Sequence, residues 1–479
     1  MTGNNVRPRL TVLSAEQKAQ VHAYALRVLA RTGVRVDSPQ VRERLRARVG
    51  AKGVDGAIVR LPAELVDGAI RAAPHTVDLF DRRGRPAFTL GDGSLRYGVG
   101  VTALYCMDPL TDALAPFGRR SLADMTRLAH SLPGYDCIST IGVLQDVPAH
   151  RADLYAAVET IANTTKPMVL LVSDEAQFPA VLDLFESLAG DLGAKPYVLP
   201  YFNPVTPLVL NLGTTLKMQA ALERGLPVIV SSYSMAGTSA PMPPAGALVA
   251  LLAELLAGLV VTQVLREGAG VVLGMLPNYF DMKTLLNFYD PQSILLNAAC
   301  AEMMEHYGLP HCGVTGSGTG WGADFIAADT YWMNSLTYSL TRGGLAPFVG
   351  DTLGAKVFSP NTVVYVHEII EQARRVAAGF QLDDETAVLG EIAKAGPGGS
   401  FLSAPSTRRA YKSGYYVSGV FPHWTMEKWQ AEGAPDAKAV LRERTRQLIA
   451  DAPAPEDHDE ILARGEALID KETTKLKGV

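Results

Sequence analysis

A short apolar run, bounded by Gly or Pro and followed by a longer amphipathic run, returns along most of this chain. Tyr135–Val143 precedes a helical pattern over His150–Asn163, and Pro167–Val172 precedes Glu175–Ala189. Pro196–Phe202 precedes Asn211–Arg224, and Pro227–Ser231 precedes a long apolar helix ending near Arg266. Gly270–Leu276 precedes Pro291–His306, Pro310–Thr315 precedes Phe325–Thr341, and Leu345–Val349 precedes Asn361–Ala378. Each short run is apolar nearly throughout, as a strand buried on both faces of a parallel sheet must be. Gly225, Gly268, Gly308 and Gly343 stand where helices should stop, and glycine takes the left-handed conformation that such stops use. Seven units after a first apolar segment, Leu95–Tyr105, make eight. Alternation predicts an α/β fold, and eight units predict a closed (β/α)8 TIM barrel rather than an open sheet.

The ends depart from the repeat. Residues 1–90 are expected to form an N-terminal helical segment packing on the barrel, with helices over Ser14–Arg31, Ser38–Arg48 and Ala63–Ala72. Residues 91–379 are the barrel and 380–479 a C-terminal extension. Met107–Leu110 reads as a turn between two short strands. The chain is 479 residues long, a length that barrels with insertions reach as one domain. The longest apolar stretch, Ala245–Leu265, could pass for a membrane span, but Glu254 sits at its centre and Thr262 and Gln263 follow. It is expected to be a buried helix.

Composition excludes several functions. Charge is mixed, with a net −5 and no basic stripe, so nucleic acid is not an expected partner. The four cysteines (Cys106, Cys137, Cys300, Cys312) form no C-x-x-C pair, so neither a disulfide framework nor a metal site is expected. Met1–Leu10 is polar and lacks the apolar core of a secretory signal, so a reducing cytoplasm is the expected location.

Barrels of this type carry their active sites at the C-terminal ends of the strands. Those ends are rich in aromatics in a chain only 7% aromatic, and poor in acids, bases and nucleophiles. Gly316–Gly320 looks like a phosphate loop but lacks its Lys and spacing, and it reads as a flexible loop. His311 and Cys312 are neighbours on a strand and point to opposite faces. No catalytic acid or base is expected. A quaternary ammonium has no N–H to donate, so aromatic faces must hold it, at roughly 0.5–2 kcal/mol each. The candidate substrate-binding residues are Tyr97, Tyr201, Phe202, Asn203, Ser232, Tyr233, Tyr279, Trp321, Phe348 and His367, with Phe280 as further cage material. Asn203, Ser232, His367, Lys356 and Arg342 could face a substrate carboxylate.

From strand four onward the chain resembles a known family. Asn203-Pro-Val-Thr-Pro-Leu208, the run Thr238–Val260, Gly270–Gly274 and Gly396-Pro-Gly-Gly-Ser-Phe-Leu402 look like motifs of the trimethylamine methyltransferase family. That resemblance implies a βα barrel that passes a methyl group to the Co(I) of a cognate corrinoid protein, with the corrinoid (cob(I)alamin/methylcobalamin) carried by that partner. Two departures matter. Family members that act on trimethylamine carry a pyrrolysine near the end of strand seven, where Thr315–Trp321 holds only ordinary residues. Ser400, Ala404 and Ser406 stand where the family often has His. The resemblance therefore points to the pyrrolysine-free branch, similar to glycine betaine methyltransferases. Two other readings stay open: direct methyl transfer to tetrahydrofolate, and a non-catalytic betaine-binding protein. The sequence does not fix the oligomeric state, and a homo-oligomer is compatible with it.

Overall fold

The computed structural model describes residues 5–341 and 343–476. Eight parallel strands close into a barrel: β1 (Arg96–Val99), β2 (Cys137–Ser139), β3 (Met168–Leu170), β4 (Val198–Phe202), β5 (Val228–Ala236), β6 (Val271–Asp281), β7 (His311–Cys312) and β8 (Leu345–Ala346). Each pairs with its sequence neighbour, and β8 pairs with β1. The β5–β6 pair is the longest, running from Val228↔Val271 to Ala236↔Tyr279. The helices that follow the strands are α1 (Arg119–Ser131), α2 (Ala152–Asn163), α3 (Phe178–Ala189), α4 (Leu212–Glu223), α5 (Pro244–Leu265), α6 (Pro291–Tyr307), α7 (Phe325–Ser339) and α8 (Pro360–Ala378). Every expected unit is present, with ends displaced by a few residues.

The helix stops divide by mechanism. Gly225, Gly268 and Gly308 have φ of +81°, +75° and +68°, as expected of left-handed caps. Gly343 borders residue 342, which lies outside the described residues; a Cβ at Gly343 would strike the Tyr338 ring, so glycine serves close packing there.

Inside the barrel, Cys137, Val169, Leu199, Ile229, Val272, Cys312 and Leu345 form one apolar cluster with Val77, Leu79 and Leu90. Those last three lie on a hairpin, Val77–Phe80 and Pro86–Leu90, that the expectation of helices alone in residues 1–90 did not include. Phe80 N–H donates to Pro196 O just before β4, so the hairpin plugs the N-terminal end of the barrel. The opposite end stays open. Tyr105–Met107 and Leu114–Pro116 pair antiparallel around the expected turn, where the Asp108 carboxylate accepts from Leu110 N–H and Thr111 N–H.

Helix α5 is long and apolar enough to cross a membrane, yet 78% of its most apolar window is buried within the protein. It packs on β5 and β6 on one side and on Ala15–Arg31, Pro39–Val49 and Ala63–Ala72 on the other. Each fully buried Leu contributes roughly 1.5–3 kcal/mol. Glu254 at its centre accepts from Thr206 Oγ1 at 2.7 Å and from Leu208 N–H at 3.1 Å. The charge that interrupts the apolar run thus ties α5 to the loop after β4. In the C-terminal region, Ala437–Asp451 packs on α8 and α1, and His458–Leu476 packs on α2 and α3. Arg82 grips Asp457, in the linker between these helices, through two N–H donors at 2.6 and 2.5 Å.

Candidate active site

At the open end of the barrel lies a cavity of about 850 Å³. A groove of about 770 Å³ on the flank, between Ala15–Arg31, α5 and α6, meets no strand end. The chemistry of this fold belongs at the strand ends, which makes the barrel mouth the site.

Its floor is aromatic. Tyr201 at the end of β4 and Phe348 just past β8 meet edge to face, with ring centroids 5.0 Å apart. Tyr233 from β5 and Tyr289 from the segment before α6 join them, and Leu276 of β6 lies beside them. Burial raises the phenol pKa of Tyr201, Tyr233 and Tyr289, so all three stay neutral at physiological pH. Asn203, Trp321 and Lys356 stand around the mouth. Trp321 is 73% exposed, a large apolar ring offered to solvent at the rim.

Of the expected site residues, Tyr201, Asn203, Tyr233, Trp321 and Phe348 line this cavity. The others do not, mostly because residues alternate between the faces of a strand. Tyr97 points out of the barrel. It is fully buried, its hydroxyl lies 3.0 Å from Ser339 Oγ of α7, and the Arg374 guanidinium of α8 sits 5.2 Å from its ring centroid. Phe202 also faces outward and packs on Phe178 at 5.8 Å. Ser232 turns from the cavity towards Glu254, and its neighbour Tyr233 takes the inward position. Tyr279 lies across from Phe288 at 6.3 Å and does not line the cavity; neither does Phe280. His367 packs beside Tyr135 and Gly134, and burial lowers its pKa, so it is a neutral packing residue. Of the carboxylate partners considered, Asn203 and Lys356 reach the cavity, while Arg342 lies outside the described residues. His311 faces outward with Nδ1 2.6 Å from Tyr338 Oη, and Cys312 faces the barrel interior, the opposite orientations expected of neighbours on a strand.

Sequence reasoning misses Tyr289 and Leu286–Phe288, and it takes Phe348–Asp351 as a strand end without giving Asp351 a role. Tyr289 reaches the mouth because β6 runs on to Asp281, turns back through Leu286–Phe288 and delivers the next residue over the floor. No local signal marks that return, although the aromatic pair Phe288-Tyr289 just before Pro291 is an unusual loop composition. Asp351 is fully buried and accepts a hydrogen bond from Ser317 Oγ at 2.5 Å. Burial pushes its carboxyl up to about 7. Around it the β7 loop and the hairpin after β8 are laced together. Thr352 Oγ1 donates to Gly320 O at 2.5 Å, Leu353 N–H to the same oxygen at 3.0 Å, and Gly354 N–H to Gly318 O at 3.0 Å. Among the described residues, no group of three or more His, Cys, Asp or Glu is placed to hold a metal ion.

A model of the trimethylamine methyltransferase family matches residues 2–476. The trimethylamine methyltransferase of Desulfitobacterium hafniense (strain DSM 10664 / DCB-2) is 25% identical over 478 residues, covering 98% of this chain and 95% of that protein. The glycine betaine methyltransferase of Desulfitobacterium hafniense (strain Y51) is also 25% identical, covering 96% and 97%. Among solved structures, the monomethylamine methyltransferase of Methanosarcina barkeri superposes with a TM-score of 0.54 at 10% identity, covering 94% of this chain and 90% of that one. That likeness is one of fold.

Proposed function

The chain belongs to the trimethylamine methyltransferase family, and from that premise we propose that it moves a methyl group from a quaternary amine, glycine betaine or a related betaine, to the Co(I) of a cognate corrinoid protein. The observation that carries this reading is the neutral aromatic floor of Tyr201, Tyr233, Tyr289 and Phe348 at the barrel mouth.

A quaternary ammonium already contains its leaving group, a neutral tertiary amine, so no general acid is needed. The cobalt-bearing acceptor is a second substrate, brought by its own protein, and it supplies the nucleophile. The tasks left to this chain are binding, orientation and exclusion of water. Neutral rings hold the cation without a formal charge pressed on nitrogen. A charge there would favour the ground state over a transition state in which the positive charge is leaving. Asn203 and Lys356 stand at the mouth, where they can receive a substrate carboxylate. Ser317–Trp321, in the region where a pyrrolysine-dependent relative carries that residue, forms one wall of the cavity. The small side chains of Ser317–Gly320 leave the space to the substrate. The partner corrinoid protein docks over the open mouth, which the exposed Trp321 borders.

Methylation of cob(I)alamin, followed spectroscopically across a panel of methylated amines, tests the reading. Turnover with glycine betaine or another quaternary amine is expected. Transfer to tetrahydrofolate without any corrinoid would replace it.

A further inference from the structure

Asp351 is an acid that the methyl transfer outlined above leaves without a task. It sits in the wall shared by the β7 loop and the hairpin after β8, fully buried, with Oδ2 on Ser317 and Oδ1 without a hydrogen-bond partner of normal geometry, and the N–H groups of Gly318 and Asp351 and the Tyr331 hydroxyl lie near enough to favour its charged form. Ser317 lines the cavity, so one side chain separates the carboxyl from the space the substrate would fill. The groups facing it from other elements are Tyr289 of the segment before α6, which also lines the cavity, and Tyr331 of α7, whose hydroxyl donates to Asp351 O at 3.1 Å. Both phenols are held neutral by burial. On its own hairpin, Lys356 is exposed at the rim. Among the described residues no Lys, Arg or His forms an ion pair with Asp351. A buried carboxylate without a cation is costly, and proteins normally supply one.

We propose that the substrate supplies it: Asp351 is a specificity-determining residue whose carboxylate, acting across Ser317, is the counter-charge of the cation bound on the aromatic floor. This rests on the quaternary-amine reading above. The carboxyl does not touch the methylated nitrogen, so it selects cations over neutral molecules of the same shape and takes no part in the transfer. When the cavity is empty the carboxyl is half protonated near pH 7, and a cation entering the cavity favours the charged form and expels the proton. Because the positive charge leaves nitrogen during methyl transfer, the attraction acts on the bound substrate more than on the transition state. Loss of the charge therefore raises KM and does not lower kcat.

Calorimetric titration with tetramethylammonium at pH 6, 7 and 8, in buffers of different ionisation enthalpy, tests this. Wild type should bind about ten-fold tighter at pH 8 than at pH 6. It should release close to one proton per cation at pH 6 and none at pH 8. Asp351→Asn keeps the Ser317 hydrogen bond. It should bind about a hundred-fold weaker at pH 8, with no pH dependence and no proton release, while its affinity for the neutral isostere 3,3-dimethylbutan-1-ol stays unchanged. Cation binding by wild type without proton release at pH 6 overturns the role of Asp351 and leaves the quaternary-amine reading standing, and it needs no variant to fold. Equal losses of cation and isostere affinity in Asp351→Asn reduce Asp351 to a scaffold residue. Failure of wild type to bind any quaternary ammonium overturns both readings.

Discussion

Tyr201 and Phe348 meet edge to face at 5.0 Å and both line the cavity floor. Tyr201→Ala or Phe348→Ala should each weaken binding of a quaternary ammonium by about 1–2 kcal/mol, read by calorimetry. Tyr97→Ala should behave differently. Its ring is fully buried between β1 and the outer helices, so the variant should lose about 3–5 kcal/mol of stability and, where folded, bind the cation normally. Selective loss of affinity in Tyr97→Ala would reverse that assignment. Asp351 adds a pH dependence of stability. In the unfolded chain its carboxyl titrates near 3.9, and in the fold near 7. Between those values the native state holds more protons than the unfolded one, so stability falls as pH rises from about 4 to about 7. Asp351→Asn removes that slope. The variant's stability relative to wild type should improve by up to on the order of 4 kcal/mol between pH 4 and pH 8, measured by denaturant titration. At this scale the sequence yields which residue types gather at the strand ends. It does not yield which way each points. A one-residue uncertainty in where a strand ends exchanges Tyr97 for Gly98, or Ser232 for Tyr233, between the two faces.

Eight strands and their helices were legible as elements because both faces of each strand are buried, which writes an unbroken apolar run into the sequence. The hairpin that plugs the barrel floor and the two- and three-residue strands of residues 34–59 were not. They are too short to show a period, and their pairing is set by tertiary contact with the barrel and with Val209–Leu210. The laced wall of the β7 loop and the β8 hairpin escaped for the same reason, since its bonds run between groups more than thirty residues apart. Three predictions belong here. Gly320 has φ +79°, and a Cβ there would come within 2.7 Å of Asp324 Oδ1 and 2.8 Å of Ala327 Cβ. Gly320→Val should therefore distort the wall and depress amine binding and methyl transfer together. Trp321→Ala removes only an exposed ring at the rim, and it should slow transfer to the corrinoid protein while leaving amine affinity within about two-fold. The reverse pattern would place the docking surface elsewhere. In α5, Glu254→Leu strands the Leu208 N–H and the Thr206 hydroxyl in a buried site, and should cost about 2–4 kcal/mol.

The whole molecule sets selectivity among amines through its cavity, an aromatic floor open at one end with the Asp351 carboxyl held behind Ser317 in its wall. A quaternary ammonium keeps its charge in such a place at any pH, since it has no proton to lose. Trimethylamine enters as its protonated form, whose N–H meets ring faces rather than an acceptor, so the proton is shed on binding and with it the charge that Asp351 attracts. The neutral amine that results has no leaving group better than an amide anion. Cobalt then has no productive displacement to make, and the wall at Ser317–Trp321 offers no covalent partner that could activate the amine. The protein should therefore demethylate quaternary amines and leave trimethylamine untouched, assayed with equal loading of the corrinoid acceptor. Lowering the pH from 8 to 6 should not rescue trimethylamine, because the free amine is already protonated at pH 8 and the preference of the bound one does not change. Tetramethylammonium, which shares the charge but lacks a carboxylate, should be turned over with a higher KM than glycine betaine, since Asn203 and Lys356 then have nothing to hold. Comparable rates with trimethylamine and a quaternary amine would mean that the cavity activates an amine by a route other than its permanent charge.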